Sequence, residues 1–177
     1  MKQGRRHTLW LLLPREAHER YQALIAKLSA RCNTLAFEPH VTLLNGLAGD
    51  RDDLRRRTRA LAEALAPFEA RLLEVAWRDE YYRCLFVEVV RSRALLDAHA
   101  LAGKIFDKRV ETDFYPHLSL VYGDLDENQK GNIANDVGRH IDERLTIGEL
   151  ALYDTGGATP AAWRCVERCH LGQTAVR

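Results

Sequence analysis

The sequence predicts a single domain made of two similar halves, each combining short strands with amphipathic helices. Three observations predict this fold. A segment of ten residues occurs twice, at 37–46 and 114–123, with five identical positions and three conservative exchanges. The copies lie 77 residues apart, and the preceding segments align at the same offset as an apolar strand followed by a helix. The 177 residues are enough for one domain of ordinary size.

Composition places the chain among soluble globular proteins. Hydrophobic residues make up 46% and charged residues 29%, and the net charge of +1 argues against bulk binding to nucleic acid or membranes. The first apolar run, at 9–13, is shorter than the core of a signal peptide, and no run approaches the ~20 apolar residues of a membrane span. We therefore expect a cytoplasmic protein with no membrane partner, and we expect a monomer.

The pattern of apolar residues predicts seven strands and four helices. Strands are predicted at 7–13, 39–45, 68–77, 83–90, 117–122, 145–153 and 162–170. Helices are predicted at 15–31, 51–66, 92–108 and 126–141. Ser92 and Asp126 are typical N-cap residues. The last helix is the weakest, because Gly131 and Gly138 each cost about 1 kcal/mol relative to alanine.

Local patterns support these elements in chain order. The first strand is an apolar run that ends at Pro14. The helix after it carries a stripe at helical spacing, formed by Ala17, Tyr21, Leu24, Ile25 and Leu28. The second helix carries the shorter stripe Leu54, Leu61 and Leu65. The strand at 83–90 and the helix at 92–108 repeat the first pair, and a turn-rich loop at 155–160 precedes the last strand.

The flanking residues of each repeated segment favour a strand. Pro39 and Pro116 precede the two histidines, and proline suits the first position of a strand because it has no N–H to donate. Gly46 and Gly123 end the two segments. Each copy is therefore predicted to be a short strand that begins near its histidine.

Each copy also carries a histidine two residues before a hydroxyl residue, His40 with Thr42 and His117 with Ser119. Positions i and i+2 of a strand point to the same face, so each copy can present an imidazole beside a hydroxyl. A pseudo-twofold axis between the halves would bring the two histidines to opposite sides of one cleft. Packing alone gives a duplicated chain little reason to keep these polar pairs, which favours a catalytic role.

Two facing histidines suit the opening of a cyclic phosphodiester. Histidine titrates near pH 6.5, so one imidazole can accept a proton while the other donates one, and such help contributes about 10²–10⁴-fold. Hydrolysis removes a proton from water and delivers one to the departing ribose oxygen on the opposite side of the phosphorus. Thr42 and Ser119 can hold the remaining phosphoryl oxygens. This chemistry requires neither a metal nor another cofactor.

The four cysteines, Cys32, Cys84, Cys165 and Cys169, do not alter this prediction. Cys165, Cys169 and His170 resemble part of a metal site, but zinc sites usually need a second ligand pair at a defined spacing. We therefore expect no metal, and reduced thiols, as is usual in the cytosol. The sequence alone leaves a disulfide open.

The two motifs, at 39–43 and 116–120, resemble the paired H-x-T/S signatures of the 2H phosphoesterase superfamily. The longer strings around them, and the opening segment 9–14, are most similar to the cyclic phosphodiesterase branch known from plants and yeast. The resemblance implies a bilobal α+β fold in which antiparallel sheets line a central cleft and helices lie outside. In such folds the lobes exchange strands.

The resemblance also implies the reaction and its substrates. These are hydrolysis of ADP-ribose 1″,2″-cyclic phosphate to ADP-ribose 1″-phosphate, and of nucleoside 2′,3′-cyclic phosphates to 2′-phosphates, in the metabolism of tRNA splicing by-products. His40 and His117 carry over as the catalytic acid–base pair, and Thr42 and Ser119 as phosphate ligands. The partner is then a small nucleotide, with no cofactor.

Trp10 and Tyr122 match aromatic positions that line the substrate site in that branch. Trp10 fits the core of an apolar strand equally well. Tyr122 lies five residues after His117, so strict alternation would point it to the opposite face unless a bulge or the turn at Gly123 redirects it. Asn45 takes its position in the first copy, so the halves are not equivalent there. For Tyr81, Tyr82 and Tyr115, packing is favoured over a place in the site.

Two alternative functions stay open. One is an RNA-end enzyme that opens cyclic phosphates or acts on 2′–5′ linkages, which would need a basic groove. The arginine-rich segment 51–59 could supply one, although its interleaved acidic residues favour a solvated helix face. The other is a non-catalytic module that binds cyclic nucleotides or RNA ends, which the presence of both histidines and both hydroxyls makes less favoured.

Overall fold

Eight strands and four α-helices form the part of the chain that the computed structural model describes, residues 7–110 and 112–173. The strands are β1 His7–Leu12, β2 His40–Leu47, β3 Phe68–Trp77, β4 Leu85–Val89, β5 His117–Val121, β6 His140–Ile147, β7 Glu149–Asp154 and β8 Arg164–His170. The helices are α1 Arg15–Cys32, α2 Arg51–Ala64, α3 Arg93–Ile105 and α4 Glu127–Val137. Two 3₁₀ turns, Tyr81–Arg83 and Pro160–Ala162, complete the secondary structure of these residues.

The strands form one antiparallel sheet in the order β6-β3-β4-β5-β2-β1-β7-β8. Strands β2 and β5, which carry the repeated motifs, meet at its centre through a single registered pair, Val41 with Leu118. The sheet therefore divides there into two four-stranded halves. Strand β3 follows the first motif along the chain but pairs with β4, and β7 follows the second motif but pairs with β1. The predicted bilobal α+β architecture with strand exchange is confirmed.

One boundary near the C-terminus differs from the prediction. The helix expected at 126–141 ends at Val137, and the single strand expected at 145–153 is two strands, β6 and β7, with Gly148 between them. Gly138 has a φ of 95°, a backbone conformation that glycine adopts far more readily than other residues, and it ends the helix. The residues after it alternate between more and less exposed positions, as a strand requires.

The helix starts follow the predicted capping chemistry. The Ser92 side chain accepts a hydrogen bond from the Leu95 amide, and Asp126 forms a reciprocal capping box with Gln129. Asp50 caps α2 in the same way as Ser92 caps α3, by accepting from backbone amides of the first turn. Each such cap typically stabilises a helix by about 1 kcal/mol.

The core lies between the sheet and the helices that pack on it. Strand β1 is buried along its whole length and lies inside the sheet, between β2 and β7. The predicted apolar stripes face this core: Ala17, Tyr21, Ile25, Leu28, Leu54 and Leu61 are buried. Full burial of one large aliphatic side chain stabilises the fold by about 1.5–3 kcal/mol. In the described part of the chain no helix combines the length and the apolar character that crossing a bilayer would demand.

Both motif strands bulge at the equivalent position, directly after the hydroxyl residue. The register against the neighbouring strand shifts between Thr42 and Leu44 in β2, and between Ser119 and Val121 in β5. A bulge bends a strand and redirects the side chains that follow it. The repeated sequence thus encodes a repeated backbone irregularity, which turns the ends of both strands.

Strand pairing corrects the correspondence between the first strands of the two halves. Trp10 lies opposite Thr42, and Phe86 lies opposite Ser119. The counterpart of Trp10 is therefore Phe86, 76 residues later, whereas the offset of 77 residues between the motifs would have matched it with Val87. A shift of one residue reverses the face to which a strand residue points, so this correction decides which aromatic residues approach the histidines.

Candidate active site

A cleft of about 640 Å³ opens beside the two motif strands, a volume within the usual range of small-molecule sites. The six residues predicted from the sequence all line it: His40, Thr42, His117, Ser119, Trp10 and Tyr122. The structure therefore brings together residues that are far apart along the chain. Their chemical roles depend on the local contacts of each side chain.

The same hydrogen bond orients both imidazoles. Nδ1 of His40 lies 2.6 Å from the Glu38 carbonyl oxygen, and Nδ1 of His117 lies 2.8 Å from that of Tyr115. Because a carbonyl can only accept, Nδ1 carries the hydrogen in each neutral ring and Nε2 is the basic nitrogen. Each accepting carbonyl belongs to the residue before a proline, which is restricted to an extended conformation. The prolines therefore help to hold the anchors as well as to start the strands.

Burial keeps both imidazoles neutral. It lowers the pKa of His40 to about 3, with a smaller contribution in the same direction from the nearby His117, while the hydrogen bond to Glu38 opposes the shift. Burial also lowers the pKa of His117, assisted by the positive charges of Arg83 and Arg78. A phosphate group entering the cleft would favour the protonated form of a nearby imidazole, because opposite charges attract.

An aromatic stack fixes the ring of His40. The Trp10 indole lies parallel to it, with 3.6 Å between ring centroids and an interplanar angle of 6°. Tyr153 stacks on Trp10 at 3.7 Å, and its hydroxyl donates to the Glu38 carboxylate. Glu38 therefore holds His40 through its backbone and the stack through its side chain. Trp10 belongs to both the core and the cleft, since its side chain is only 2% exposed.

His117 has different neighbours. Phe86, the counterpart of Trp10, lies 5.2 Å from its ring at an angle of 59°, so the two rings are tilted rather than stacked. The Tyr115 hydroxyl donates to the Glu88 carboxylate, and the Arg78 guanidinium lies 4.6 Å over the Tyr115 ring. His117 is thus held mainly by its backbone anchor, next to positive charge.

The hydroxyl residues and Tyr122 complete the centre of the cleft. Ser119 is buried and donates a hydrogen bond of 3.2 Å to the Tyr82 carbonyl. Thr42 is half-buried in the cleft wall. Tyr122 follows the bulge in β5 and stacks on Phe37 at 3.7 Å, which explains how it reaches the cleft despite the strand alternation. Burial raises its pKa.

Several lining residues were missed or undervalued in the sequence. Tyr82 and Tyr115 line the cleft, although packing was the favoured interpretation, and Tyr82 is 57% exposed. Trp163 also lines it and makes edge contacts with Trp10 and Tyr122. A tryptophan at the start of a polar, solvent-facing strand was the available signal, but the pattern does not say what it faces.

The cysteines lie outside this arrangement. Cys32, Cys84, Cys165 and Cys169 are free thiols. Burial raises the pKa of Cys169 to about 11, which suppresses the reactive thiolate at neutral pH. Within residues 7–110 and 112–173, no three His, Cys, Asp or Glu side chains are grouped closely enough to hold a metal ion.

Comparison with known proteins identifies the family and the fold of this chain. The model of a family described as cyclic phosphodiesterase-like protein matches residues 6–171. A cyclic phosphodiesterase of Arabidopsis thaliana is 25% identical over 172 residues, which cover 93% of this chain and 94% of that relative.

Solved structures share the fold at low sequence identity. E. coli LigT complexed with 3′-AMP superimposes with a TM-score of 0.61 at 16% identity, over 96% of this chain and 99% of LigT. TT0787 of Thermus thermophilus gives 0.64 at 17% identity, over 94% and 98% of the two chains. The resemblance drawn from the motifs is confirmed: this chain belongs to the cyclic phosphodiesterase-like family of the 2H phosphoesterase superfamily.

Proposed function

We propose that the protein hydrolyses cyclic phosphodiesters on small nucleotides, with His40 and His117 as the acid–base pair and without a metal ion. The observation that carries this proposal is the matched pair of anchored imidazoles. Each has its Nδ1–H bound to a backbone carbonyl, lines the same cleft, and stands two residues before a hydroxyl in its strand.

The geometry supports a simple sequence of proton transfers. The Nε2 of one histidine accepts a proton from a water molecule as the water oxygen bonds to phosphorus. The Nε2–H of the other donates a proton to the ribose oxygen as its bond to phosphorus breaks. The Thr42 and Ser119 hydroxyls hold the non-bridging oxygens. The negative phosphate favours protonation of one imidazole on binding, so the pair titrates as a unit.

The proposed substrates are ADP-ribose 1″,2″-cyclic phosphate and nucleoside 2′,3′-cyclic phosphates. The cyclic phosphodiesterase named among the relatives supports this class, as do structures of the similarly folded LigT complexed with 3′-AMP, ATP and NADP⁺. The exposed ring of Tyr82 and the indole of Trp163 supply flat surfaces on which a base can stack.

Substitution of the histidines tests the proposal. We expect His40→Gln and His117→Gln each to lower the hydrolysis of a nucleoside 2′,3′-cyclic phosphate by about 10²–10⁴-fold. Product formation is followed by phosphorus NMR, which also identifies the released phosphate, and activity should persist in EDTA. His140→Gln is the matched control, because that side chain is 80% exposed on β6. Undiminished activity in either active-site variant would refute the acid–base pair.

The arginine-rich segment does not favour the RNA-end alternative. Arg55 and Arg59 form ion pairs with Glu167 of β8, and Arg57 pairs with Asp53 and Asp107. These charges are compensated, and none of these arginines lines the cleft. They therefore behave as a solvated helix face that also ties α2 to the sheet.

The remaining expectations accompany this proposal. We propose that the two halves, related by the 77-residue offset of the motifs, act as one domain, because the cleft takes residues from both. A monomer in the cytoplasm that serves the metabolism of tRNA splicing by-products fits a small, freely diffusing nucleotide substrate. Analytical ultracentrifugation tests the monomer directly.

A further inference from the structure

The cleft extends beyond the two histidines to a positively charged end, here called the basic arm. Lys108 and Arg109, which follow α3, form it together with the turn of β2 at Gly46. Neither cation has a carboxylate partner in the described part of the chain; Lys108 Nζ instead lies 3.4 Å from the Gly46 carbonyl oxygen. Asp113 also lines this end, so the three charges sum to +1.

The fold holds the basic arm in place. The Lys108 amide donates to the Gly103 carbonyl at 2.9 Å, and Asp107 before it has a φ of 50°. Arg57 clamps Asp107 with an ion pair of 2.8 Å. A Cβ on Gly103 would lie 2.3 Å from a methyl group of Val110, so this glycine is needed for the segment to pack over α3. The two cations are therefore positioned by packing rather than carried on a loose loop.

A buried polar atom in the same region lacks a partner. His99 is 8% exposed, lines the cleft and stacks on Phe114 with 3.8 Å between ring centroids. Its Nδ1 donates to the Leu43 carbonyl at 2.8 Å, which leaves Nε2 as an acceptor without a hydrogen bond in the described residues. Buried acceptors are normally satisfied. A sugar hydroxyl of a bound ligand could donate a hydrogen bond to Nε2 of His99.

The distance along β2 separates the basic arm from the reacting phosphate. Gly46 lies four residues beyond Thr42, and a regular strand rises about 3.3 Å per residue. The two are therefore at most about 13 Å apart, and closer than that because β2 bulges between Thr42 and Leu44. The phosphate held by Thr42 and Ser119 therefore does not itself occupy the arm. A second anionic group, joined to the first through a sugar, can reach it.

We propose that the basic arm binds a second phosphoryl group of the nucleotide substrate, so that cyclic phosphates carrying a further phosphate are preferred. This inference rests on the proposed hydrolysis of cyclic phosphodiesters. Two sources share this chemistry, a terminal diphosphate and an internucleotide phosphodiester, and the test includes both.

The test compares three substrates that share one cyclic phosphate. These are adenosine 2′,3′-cyclic phosphate with a free 5′-hydroxyl, the same nucleotide with a 5′-diphosphate, and a dinucleotide ending in the cyclic phosphate. For the double variant Lys108→Ala/Arg109→Ala we expect kcat/KM to fall about tenfold or more on a substrate that uses the arm. On the 5′-hydroxyl substrate it should stay within about twofold, which also shows that the variant is folded.

A matched control separates local binding from overall charge. Arg15→Ala/Arg93→Ala removes the same two charges from side chains that are 90% and 89% exposed on the helices, and it should leave the substrate preference unchanged. The preference of the wild type should also weaken as salt rises, because ions screen an exposed charge pair.

The outcomes distinguish the two proposals. If kcat/KM of Lys108→Ala/Arg109→Ala falls only on the 5′-diphosphate substrate, only on the dinucleotide or only on these two, the result supports the basic arm. It also shows which kind of phosphate the arm binds. An equal effect of Lys108→Ala/Arg109→Ala on all three substrates overturns the basic arm while the hydrolytic function stands. Failure of the wild type to hydrolyse any of the three overturns the proposed function itself.

Discussion

The two histidines share an anchor but not an environment. His40 is enclosed, with Trp10 stacked on its ring, whereas His117 is half-buried and lies near positively charged side chains. The anchoring carbonyl, the proline and the bulge come from the repeated segment and are therefore alike. Trp10 and Tyr153 belong to β1 and β7, outside the ten-residue segments that occur twice. The two motif strands therefore hold their imidazoles in the same way, while the surrounding residues make the two environments different.

The same asymmetry continues on the substrate side of the cleft. Tyr122 follows the second motif and stacks on Phe37, but Asn45 takes that position after the first motif. We therefore expect a substrate with two different ends to bind in one orientation. Three predictions test how far the two sides differ.

The largest difference is expected from the aromatic neighbours. Trp10→Leu and Phe86→Leu each replace a fully buried aromatic ring with a smaller side chain. Each should lower the free energy of unfolding by roughly 1–3 kcal/mol, less than truncation to alanine. Only Trp10→Leu opens space beside His40, so only this variant should raise the pKa of His40, by about one unit or more. NMR titration of the imidazole carbons measures this shift. Equal shifts of His40 in the two variants would show that the stack has no special role.

A second difference concerns stability at low pH. Burial lowers the pKa of His40 from 6.5 to about 3, so between these values the unfolded chain binds a proton there that the folded chain does not. Stability must therefore fall as the pH decreases from 6.5, by up to about 1.4 kcal/mol per pH unit for this residue. Urea unfolding of the wild type at pH 7 and pH 5 should reveal the loss.

The histidine variants assign that pH effect. His40→Gln should reduce the pH dependence of the unfolding free energy most. His117→Gln should reduce it less, because His117 is less enclosed. A wild-type slope that persists in His40→Gln would mean that other groups cause the acid sensitivity.

The smallest effect on function is expected from loss of the hydrogen bond between Tyr153 and Glu38. Tyr21 makes the same kind of bond to Glu143, at 2.9 Å and away from the cleft, so it provides a matched control. Tyr153→Phe and Tyr21→Phe should each cost about 1–3 kcal/mol of stability. Only Tyr153→Phe should also reduce kcat, by a few-fold, because Glu38 anchors His40. If both variants keep full activity, the tyrosine matters for stability alone.

Local chemistry explains why much of the architecture could be predicted. The His-x-Thr and His-x-Ser pairs depend on strand periodicity, and Ser92 and Asp126 depend on unpaired amides at helix starts. These features need only neighbouring residues. The helix predicted at 126–141 ends early, at Val137. Glycine occurs both inside helices and at their ends, so Gly138 alone does not predict the end, and the pairing of β6 with β3 decides it.

The sequence by itself determined the two motif strands, the order of most elements and the family. Tertiary structure alone decided that Trp10 corresponds to Phe86 and that Lys108 lines the cleft. It also decided that Tyr153 and Trp163 pack against Trp10, the residue stacked on His40. These contacts join segments that are distant along the chain, through strand register and exchange between the halves. Periodicity reports which face of its own element a residue occupies, but it carries no information about which distant element will cover that face.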